Sequence, residues 1–224
     1  MKKKMKNLLI DGRIRKIEYD FLQRYFCIKK IPLSSYVYDE ISGHSDIFYC
    51  KIKDRIICAP NSPIIENEFM LGATILQKKY PNDIAYNVCQ IGENIIGSKY
   101  TDSTINPNII VKQGYTKCSI AVTGENSCIT SDRQIYKVLR KNNVDVCFIE
   151  EHNIKLLDRN SEYTKMEGFI GGACFIFDNN FVLFGDIESL KSKELLKQHL
   201  YKYNLNLIDF KGLSVNDYGG AIIY

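Results

Sequence analysis

The residues of this chain that could carry chemistry are a histidine, several thiols and scattered carboxylates. His44 and Asp46 lie two positions apart, next to the apolar run Ile47-Phe48-Tyr49-Cys50. If that segment is extended, both side chains point to one face, as acid/base catalysis by an oriented histidine requires. The alternative interpretation is structural, with His44 forming hydrogen bonds at the start of a strand.

Cys174 is the candidate nucleophile among the eight cysteines. It follows Gly171-Gly172-Ala173, and such small residues allow a ligand to approach the backbone closely. Against this role, the apolar run that follows Cys174 is typical of a buried strand, in which a cysteine packs as a small hydrophobe. Cys50, Cys89 and Cys118 occupy similar places in their own segments, which favours packing for them.

Candidate carboxylates lie beside the same apolar segments. Acidic groups there could line a common pocket and bind a cation through charge-assisted hydrogen bonds, although Asp and Glu flank strands in most soluble proteins. The candidates are Asp46, Asp83, Glu167 and Asp217.

The remaining histidines, His152 and His199, are predicted to be surface residues. All three histidines lie far apart in the sequence and no Cys-x-x-Cys pair is present, so the sequence predicts no metal site. Neither phosphate-binding glycine motif occurs, and no cofactor is predicted.

A repeated strand–turn–strand pattern must position these residues. In its first four copies, a turn containing Gly, Asn or Asp joins two apolar runs, as in a β-hairpin. A repeat of this kind is typical of folds whose units share one core. The copies begin at Gly43, Asn82, Gly114, Gly168 and Asp217.

Helical patterns separate the copies. Residues 62–79 carry an apolar stripe, residues 131–142 begin with the cap signal Ser131-Asp132, and residues 189–203 place leucines on one face. No Pro- or Gly-rich linker interrupts the series, so residues 1–224 are predicted to form a single α/β domain.

Charge and hydropathy argue against two classes of partner. The net charge is +4, and much of it lies in Lys2, Lys3, Lys4 and Lys6, which favours a solvated tail over nucleic-acid binding. Residues 7–10 are too short for a signal sequence, and no run approaches the ~20 apolar residues of a membrane span. A cytoplasmic protein with reduced thiols, and with neither a membrane nor a nucleic-acid partner, is therefore expected.

Five strand–turn–strand copies joined by helices resemble the pentein fold, a five-bladed α/β propeller with pseudo-fivefold symmetry. Its enzymes are arginine and agmatine deiminases, amidinotransferases and dimethylarginine hydrolases. His44-x-Asp46 is similar to the His-x-Asp motif that supplies their acid/base histidine, and Gly219-Gly220-Ala221-Ile222 resembles the glycine-rich segment before their nucleophilic cysteine. As architecture, the resemblance covers nearly the whole chain.

The resemblance implies that a small guanidino or amidino compound binds in a central acidic pocket, with hydrolysis or amidino transfer at a C–N bond. His44 would be the acid/base, Cys174 the nucleophile, and the four carboxylates above the substrate ligands. In those enzymes the histidine lies mid-chain and the cysteine near the C-terminus. Here the histidine lies in the first copy, and Tyr224 falls on or near the place of the cysteine. The alternative is a non-catalytic binding or interaction module of the same fold.

Overall fold

The computed structural model describes residues 5–157 and 166–224. Lys2, Lys3 and Lys4 of the predicted basic tail lie outside the described residues. Within the described part, no helix is long and apolar enough to cross a membrane.

Short strands make up most of the regular structure in the described residues. They are β1 (Lys6–Asp11), β2 (Phe26–Ile31), β3 (Tyr49–Ile52), β4 (Arg55–Cys58), β5 (Met70–Leu71), β6 (Cys89–Ile91), β7 (Asn94–Ser98), β8 (Ile109–Val111), β9 (Ile120–Gly124), β10 (Ser127–Thr130), β11 (Asp145–Phe148), β12 (Lys155–Leu156), β13 (Cys174–Phe177), β14 (Asn180–Leu183), β15 (Asn206–Ile208), β16 (Asn216–Asp217) and β17 (Ala221–Ile223).

In the described part of the chain, five three-stranded sheets share one topology. In each, an antiparallel pair is extended by a third strand that runs parallel to the middle one, and four of the pairs are the hairpins that the repeat predicts. The fifth sheet joins the two ends of the chain, because β17 pairs antiparallel with β1, and β1 pairs parallel with β2. The sheets have the orders β3-β4-β5, β6-β7-β8, β9-β10-β11, β13-β14-β15 and β17-β1-β2, and β12 pairs with β16 separately.

Local chemistry explains the hairpin turns. Gly92 and Asp178 adopt positive φ angles of 55° and 48°, a conformation that Gly, Asn and Asp tolerate best and that tight hairpin turns require. Lys53 adopts a similar φ of 54° in the first hairpin, although lysine is not one of those residue types. Buried apolar side chains from the sheets and helices pack into four clusters in the described part of the chain, and Tyr49 and Tyr86 are among the largest fully buried side chains.

Four α-helices complete the described structure. In the third, Asp132 accepts hydrogen bonds from Gln134 N and Ile135 N, both at 2.8 Å, as the cap signal predicts. The predicted helices at 131–142 and 189–203 are therefore confirmed, with tighter bounds. The helices are α1 (Lys16–Leu22), α2 (Ser45–Phe48), α3 (Arg133–Lys141) and α4 (Lys193–Lys202).

The predicted helix at 62–79 is wrong, since these residues form turns and the short strand β5. Ala73 N and Thr74 N donate to Oδ2 of Asp102 at 3.0 and 2.6 Å. Leu76 N donates to Oδ1 of Asn61. Distant side chains thus take the place of the carbonyls that a helix would offer. Of the apolar residues in this segment, Phe69 and Leu76 are buried. Ile65, Met70 and Ile75 are exposed.

The segment that precedes the first strand of each sheet also departs from the sequence interpretation. These segments are mostly turns rather than strands, and Ser45–Phe48 is the short helix α2 with His44 at its N-cap. The predicted extended His44-x-Asp46 segment is therefore wrong. The five approach segments are residues 43–48, 84–88, 115–119, 169–173 and 218–220.

Hydrogen bonds join the five approach segments in a closed circle, called the central ring below. Each segment contacts the next along the chain, and the last contacts the first. The links are Asn87 Nδ2 to Asp46 O (2.9 Å), Lys117 N to Asn87 Oδ1 (2.6 Å), Gly172 N to Cys118 O (3.1 Å), Gly220 N to Gly172 O (2.7 Å) and Asp46 N to Gly219 O (3.3 Å).

Candidate functional site

A cavity of about 440 Å³, called the site cavity below, is lined partly by the central ring. His44, Cys118 and Asp217 contribute an imidazole, a thiol and a carboxyl group, and Glu40 and Glu167 add two further carboxyl groups. No lysine or arginine of the described residues lines it, so its charged groups are acidic. The aromatic part of the lining comes from Tyr38, Tyr80, Tyr115 and Phe169.

His44 is completely buried between two carboxyl groups. Its Nδ1 lies 3.7 Å from Oδ1 of Asp217, and its Nε2 lies 4.0 Å from Oδ2 of Asp11. Neither ring nitrogen forms a well-aligned hydrogen bond with a partner among the described residues. Burial lowers the pKa of His44, against the opposing effects of Asp217 and Asp11. The imidazole is thus neutral near pH 7 and is available as a base.

Cys118 is the thiol that the structure places next to His44. Its Sγ donates to Oδ2 of Asp46 at 3.0 Å, and the ligating atoms of His44, Asp46 and Cys118 all lie within 4.8 Å of one another. Burial raises the pKa of this thiol well above its usual value, and the charges of Asp46 and Asp217 raise it further. Cys118 is therefore a neutral thiol in the free protein.

Asp46 lines a second cavity of about 640 Å³ together with Lys117 and Cys174. Burial raises the pKa of Asp46, while the charge of Lys117 and the hydrogen bond from Cys118 oppose that shift. The Lys117 ammonium group donates to Gly171 O at 3.0 Å. Asp46 is thus a buried carboxyl group whose proton affinity depends on nearby charge.

Asp217 is held by backbone donors. Its Oδ2 accepts from Phe169 N at 2.8 Å and its Oδ1 from Gly219 N at 2.9 Å. Burial raises its pKa, and His44 opposes the shift. Glycine at position 172 makes room for it, since a Cβ there would lie 1.9 Å from Oδ1 of Asp217.

The other two predicted carboxylates lie farther out. Oδ2 of Asp83 accepts from the Tyr115 hydroxyl at 2.6 Å, so Asp83 acts on the site cavity only through the ring of Tyr115. Burial raises the pKa of Asp83, although this hydrogen bond opposes it. Glu167 lines the site cavity with a half-exposed carboxylate. Its Oε2 lies 2.7 Å from Nδ1 of the exposed His152.

Cys174 does not share a cavity with His44. It is the first residue of β13, lines the second cavity, and donates to Ile170 O at 3.1 Å. Burial raises its pKa to about 12. The structure therefore brings His44, Asp46 and Asp217 together with a different thiol, Cys118.

The sequence interpretation assigned Cys118 to packing because it grouped this residue with Cys50 and Cys89. The structure separates them: Cys50 and Cys89 lie within strands, whereas Cys118 lies two residues before β9, in the central ring. The position of Cys118 just before the apolar strand, rather than within it, was the feature of the sequence that could have identified it as a site residue. Asn87 has the same position relative to β6.

His199 is a further correction. It was predicted at the surface, but its ring is buried and its Nε2 lies 2.8 Å from Oγ1 of Thr123. His152 is exposed, as predicted. Tyr224 pairs with Asn7 through two backbone hydrogen bonds and its ring packs on Phe69.

Known proteins share a family and a fold with this chain. A family model described as a family of unknown function, DUF6873, matches residues 9–222. No curated protein matches the sequence. The fold is similar to a solved structure of C. jejuni agmatine deiminase, with a TM-score of 0.50, 10% sequence identity, and coverage of 88% of this chain and 73% of that chain. The similarity concerns the fold alone, and it supports the predicted relation to the pentein fold at that level.

Proposed function

Because this chain belongs to DUF6873, a family of unknown function, its activity must be inferred from its site, and we propose that it binds a small guanidino or amidino compound in the site cavity. One observation carries this proposal. The cavity combines acidic and aromatic side chains with a thiol and an imidazole whose ligating atoms lie within 4.8 Å of each other.

Recognition would rest on charge and on flat surfaces. A guanidinium group is a planar cation, so carboxylates bind it through paired hydrogen bonds and aromatic rings through cation–π contact. Asp217 and Glu167 lie in the cavity wall and would supply the carboxylate hydrogen bonds. Tyr115 and Phe169 would supply the cation–π contact, and the centroids of their stacked rings are 6.4 Å apart. Asp83 would support binding by fixing the hydroxyl of Tyr115.

We further propose that Cys118 is the nucleophile in a hydrolysis or amidino-transfer reaction. A bound guanidinium stabilises the thiolate by its charge, which offsets the burial that keeps the thiol protonated in the free protein. The Cys118 proton passes to the neutral His44 while the sulfur bonds to the central guanidino carbon. His44 then donates this proton to the departing nitrogen as the C–N bond breaks.

An amidino group bound to the Cys118 sulfur is the product of that first half. For hydrolysis, His44 takes a proton from a water molecule whose oxygen attacks the same carbon, and the C–S bond breaks with return of the thiol. For transfer, an amine takes the place of water. Asp46 would orient the thiol through its hydrogen bond, and Asp217 would orient His44.

The fold proposed for this site is the five-bladed propeller of the penteins, with one three-stranded sheet as each blade. The shared topology of five sheets and the closed central ring support this arrangement. In it, the approach segments meet at the axis, which accounts for the convergence of side chains from distant parts of the sequence.

Turnover of a panel of guanidino compounds tests the catalytic proposal. Purified protein is incubated with agmatine, arginine and methylated arginines, and release of ammonia or amine and formation of a ureido product are measured. Cys118→Ala is expected to abolish turnover, whereas Cys174→Ala, which removes a buried thiol of the other cavity, is expected to retain it. Equal activity of the wild type and Cys118→Ala would refute this mechanism.

A non-catalytic binding module is the second candidate, and the raised pKa of the Cys118 thiol favours it. In that case the same acidic and aromatic lining holds the ligand without forming a covalent bond. Calorimetry would then show guanidino binding that Cys118→Ala retains and Asp217→Asn weakens, with no product in the turnover assay.

A further inference from the structure

We propose that His44, Asp46 and Cys118 form a binding site for a divalent transition-metal ion, with zinc as the best match. One imidazole nitrogen, one carboxylate oxygen and one sulfur lie within 4.8 Å of one another. All three residues are buried, with relative exposures of 0%, 2% and 2%. His44 and Asp46 come from one approach segment of the central ring and Cys118 from another. Because these segments are far apart in the sequence, the spacing of the residues does not predict the site.

Residues of this cluster carry buried polar atoms without hydrogen-bond partners. Both ring nitrogens of His44 and Oδ1 of Asp46 are buried and have no hydrogen-bond partner among the described residues. Buried polar atoms are almost always paired, since each unpaired one costs about 1–3 kcal/mol. A cation bound between these residues would satisfy one nitrogen and the free oxygen at once.

The donor set fits zinc in kind. Thiolate, imidazole and carboxylate are the ligands that zinc takes in proteins, at about 2.0–2.3 Å. Tetrahedral coordination at those lengths separates the ligand atoms by roughly 3.3–3.8 Å. Cys118 Sγ and Asp46 Oδ2 already lie 3.0 Å apart. The widest separation in the cluster is at most 4.8 Å, so binding must close it by no more than about 1 Å.

The surroundings provide the outer shell that metal-binding histidines need. Whichever nitrogen of His44 binds the ion, the other faces a carboxylate, because Nδ1 is near Asp217 and Nε2 near Asp11. Asn87 Nδ2 lies 3.1 Å from the sulfur of Cys118, close enough for an N–H···S bond to a thiolate. Zinc takes four ligands, and the protein supplies three, so one position remains for water. His44 and Cys118 line the site cavity, from which that water would bind.

This site does not rest on the proposed function. An ion held by His44 and Cys118 occupies the groups that the thiol reaction uses, so the metal-bound protein would be inactive in that reaction. Metal binding is therefore measured in the absence of any guanidino compound, and turnover is measured on metal-free protein. A negative result in the metal titration then leaves the catalytic proposal untouched, and a negative result in the turnover assay leaves the metal site untouched.

Titration with zinc and cadmium tests the proposal in the Cys27→Ser background, which removes the exposed free thiol. Zinc is titrated against a chromophoric chelator, and cadmium is followed by its ultraviolet sulfur-to-metal charge-transfer band. One ion per chain is expected. Cys118→Ser should abolish the band and weaken zinc binding by more than the roughly 10- to 100-fold typical of losing an outer-shell partner. Cys174→Ser is the matched control and should bind like the parent.

Folding of each variant is checked by circular dichroism and thermal unfolding. Asp46→Asn serves as the second variant if Cys118→Ser fails to fold, and should also weaken zinc binding. Added zinc should raise the melting temperature of the parent and of Cys174→Ser only. Absence of a one-to-one site in the folded parent would overturn the proposal, as would parent-like binding by a folded Cys118→Ser or Asp46→Asn variant.

Discussion

Asn87→Ala is expected to be among the most destabilising single substitutions in the central ring. The buried amide of Asn87 joins three segments: Nδ2 donates to Asp46 O, and Oδ1 accepts from Lys117 N at 2.6 Å and from Cys118 N at 3.2 Å. Alanine removes both functions and leaves two backbone N–H groups and one carbonyl without these partners. No other side chain bonds these groups in the described structure.

The magnitude follows from the number of orphaned groups. At about 1–3 kcal/mol for each unsatisfied buried group, three of them cost roughly 3–9 kcal/mol, with partial hydration favouring the lower part of that range. Asn108→Ala is the matched control, because Asn108 also accepts from a backbone N–H, at 2.8 Å from Ile95, but is exposed. Its loss should cost about 1 kcal/mol or less.

Urea denaturation of both variants and the wild type measures these free energies of unfolding. We expect the midpoint of Asn87→Ala to fall by several times the shift of Asn108→Ala, with similar slopes. Equal shifts in the two variants would refute the reasoning, because they would mean that the ring contributes no more stability than an exposed loop.

Two further predictions concern packing and protonation. Gly172→Ala should lower stability and weaken guanidino binding, since the alanine methyl group would displace the Asp217 carboxylate by roughly 1.5 Å to reach normal contact. Urea denaturation measures the stability and calorimetry the affinity, and an unchanged affinity would contradict the role of Asp217 in binding. Burial lowers the pKa of His199; the charge of Asp145 opposes this shift and the charge of Lys202 adds to it. The imidazole of His199 therefore binds a proton more readily in the unfolded chain than in the folded protein. Stability should therefore fall as the pH drops below about 6.5, the unfolded value, by at most about 1.4 kcal/mol per pH unit for this group. His199→Gln should reduce that slope, measured by urea denaturation, and an unchanged slope would contradict the assignment.

The parts of the fold that local chemistry decides were predictable. Turns at Gly92 and Asp178 and the cap at Asp132 depend on residues close in sequence, and two of the four hairpins and α3 follow from them. The helix predicted at 62–79 failed because its backbone donors bind side chains from elsewhere in the fold, which no local pattern reveals.

The site was predictable only in part for the same reason. His44, Asp46 and Asp217 stood out by type and by neighbouring glycines, and the structure brings them together. The choice between Cys118 and Cys174 depends on which residues precede a strand and which begin it, a difference of two positions. His199 was misplaced because its burial comes from contact with β9, a tertiary effect that helix periodicity does not show.

Labelling by chloroacetamidine tests the central claim, that Cys118 is the reactive thiol of a cavity that receives guanidino-like cations. The reagent carries an amidinium group and alkylates a thiol with loss of chloride, and peptide mapping by mass spectrometry identifies the modified residue. The account predicts modification of Cys118, slowed by an excess of a bound guanidino compound and lost in Asp217→Asn at equal reagent concentration. Modification confined to the exposed Cys27, with Cys118 intact in the folded protein, would contradict it.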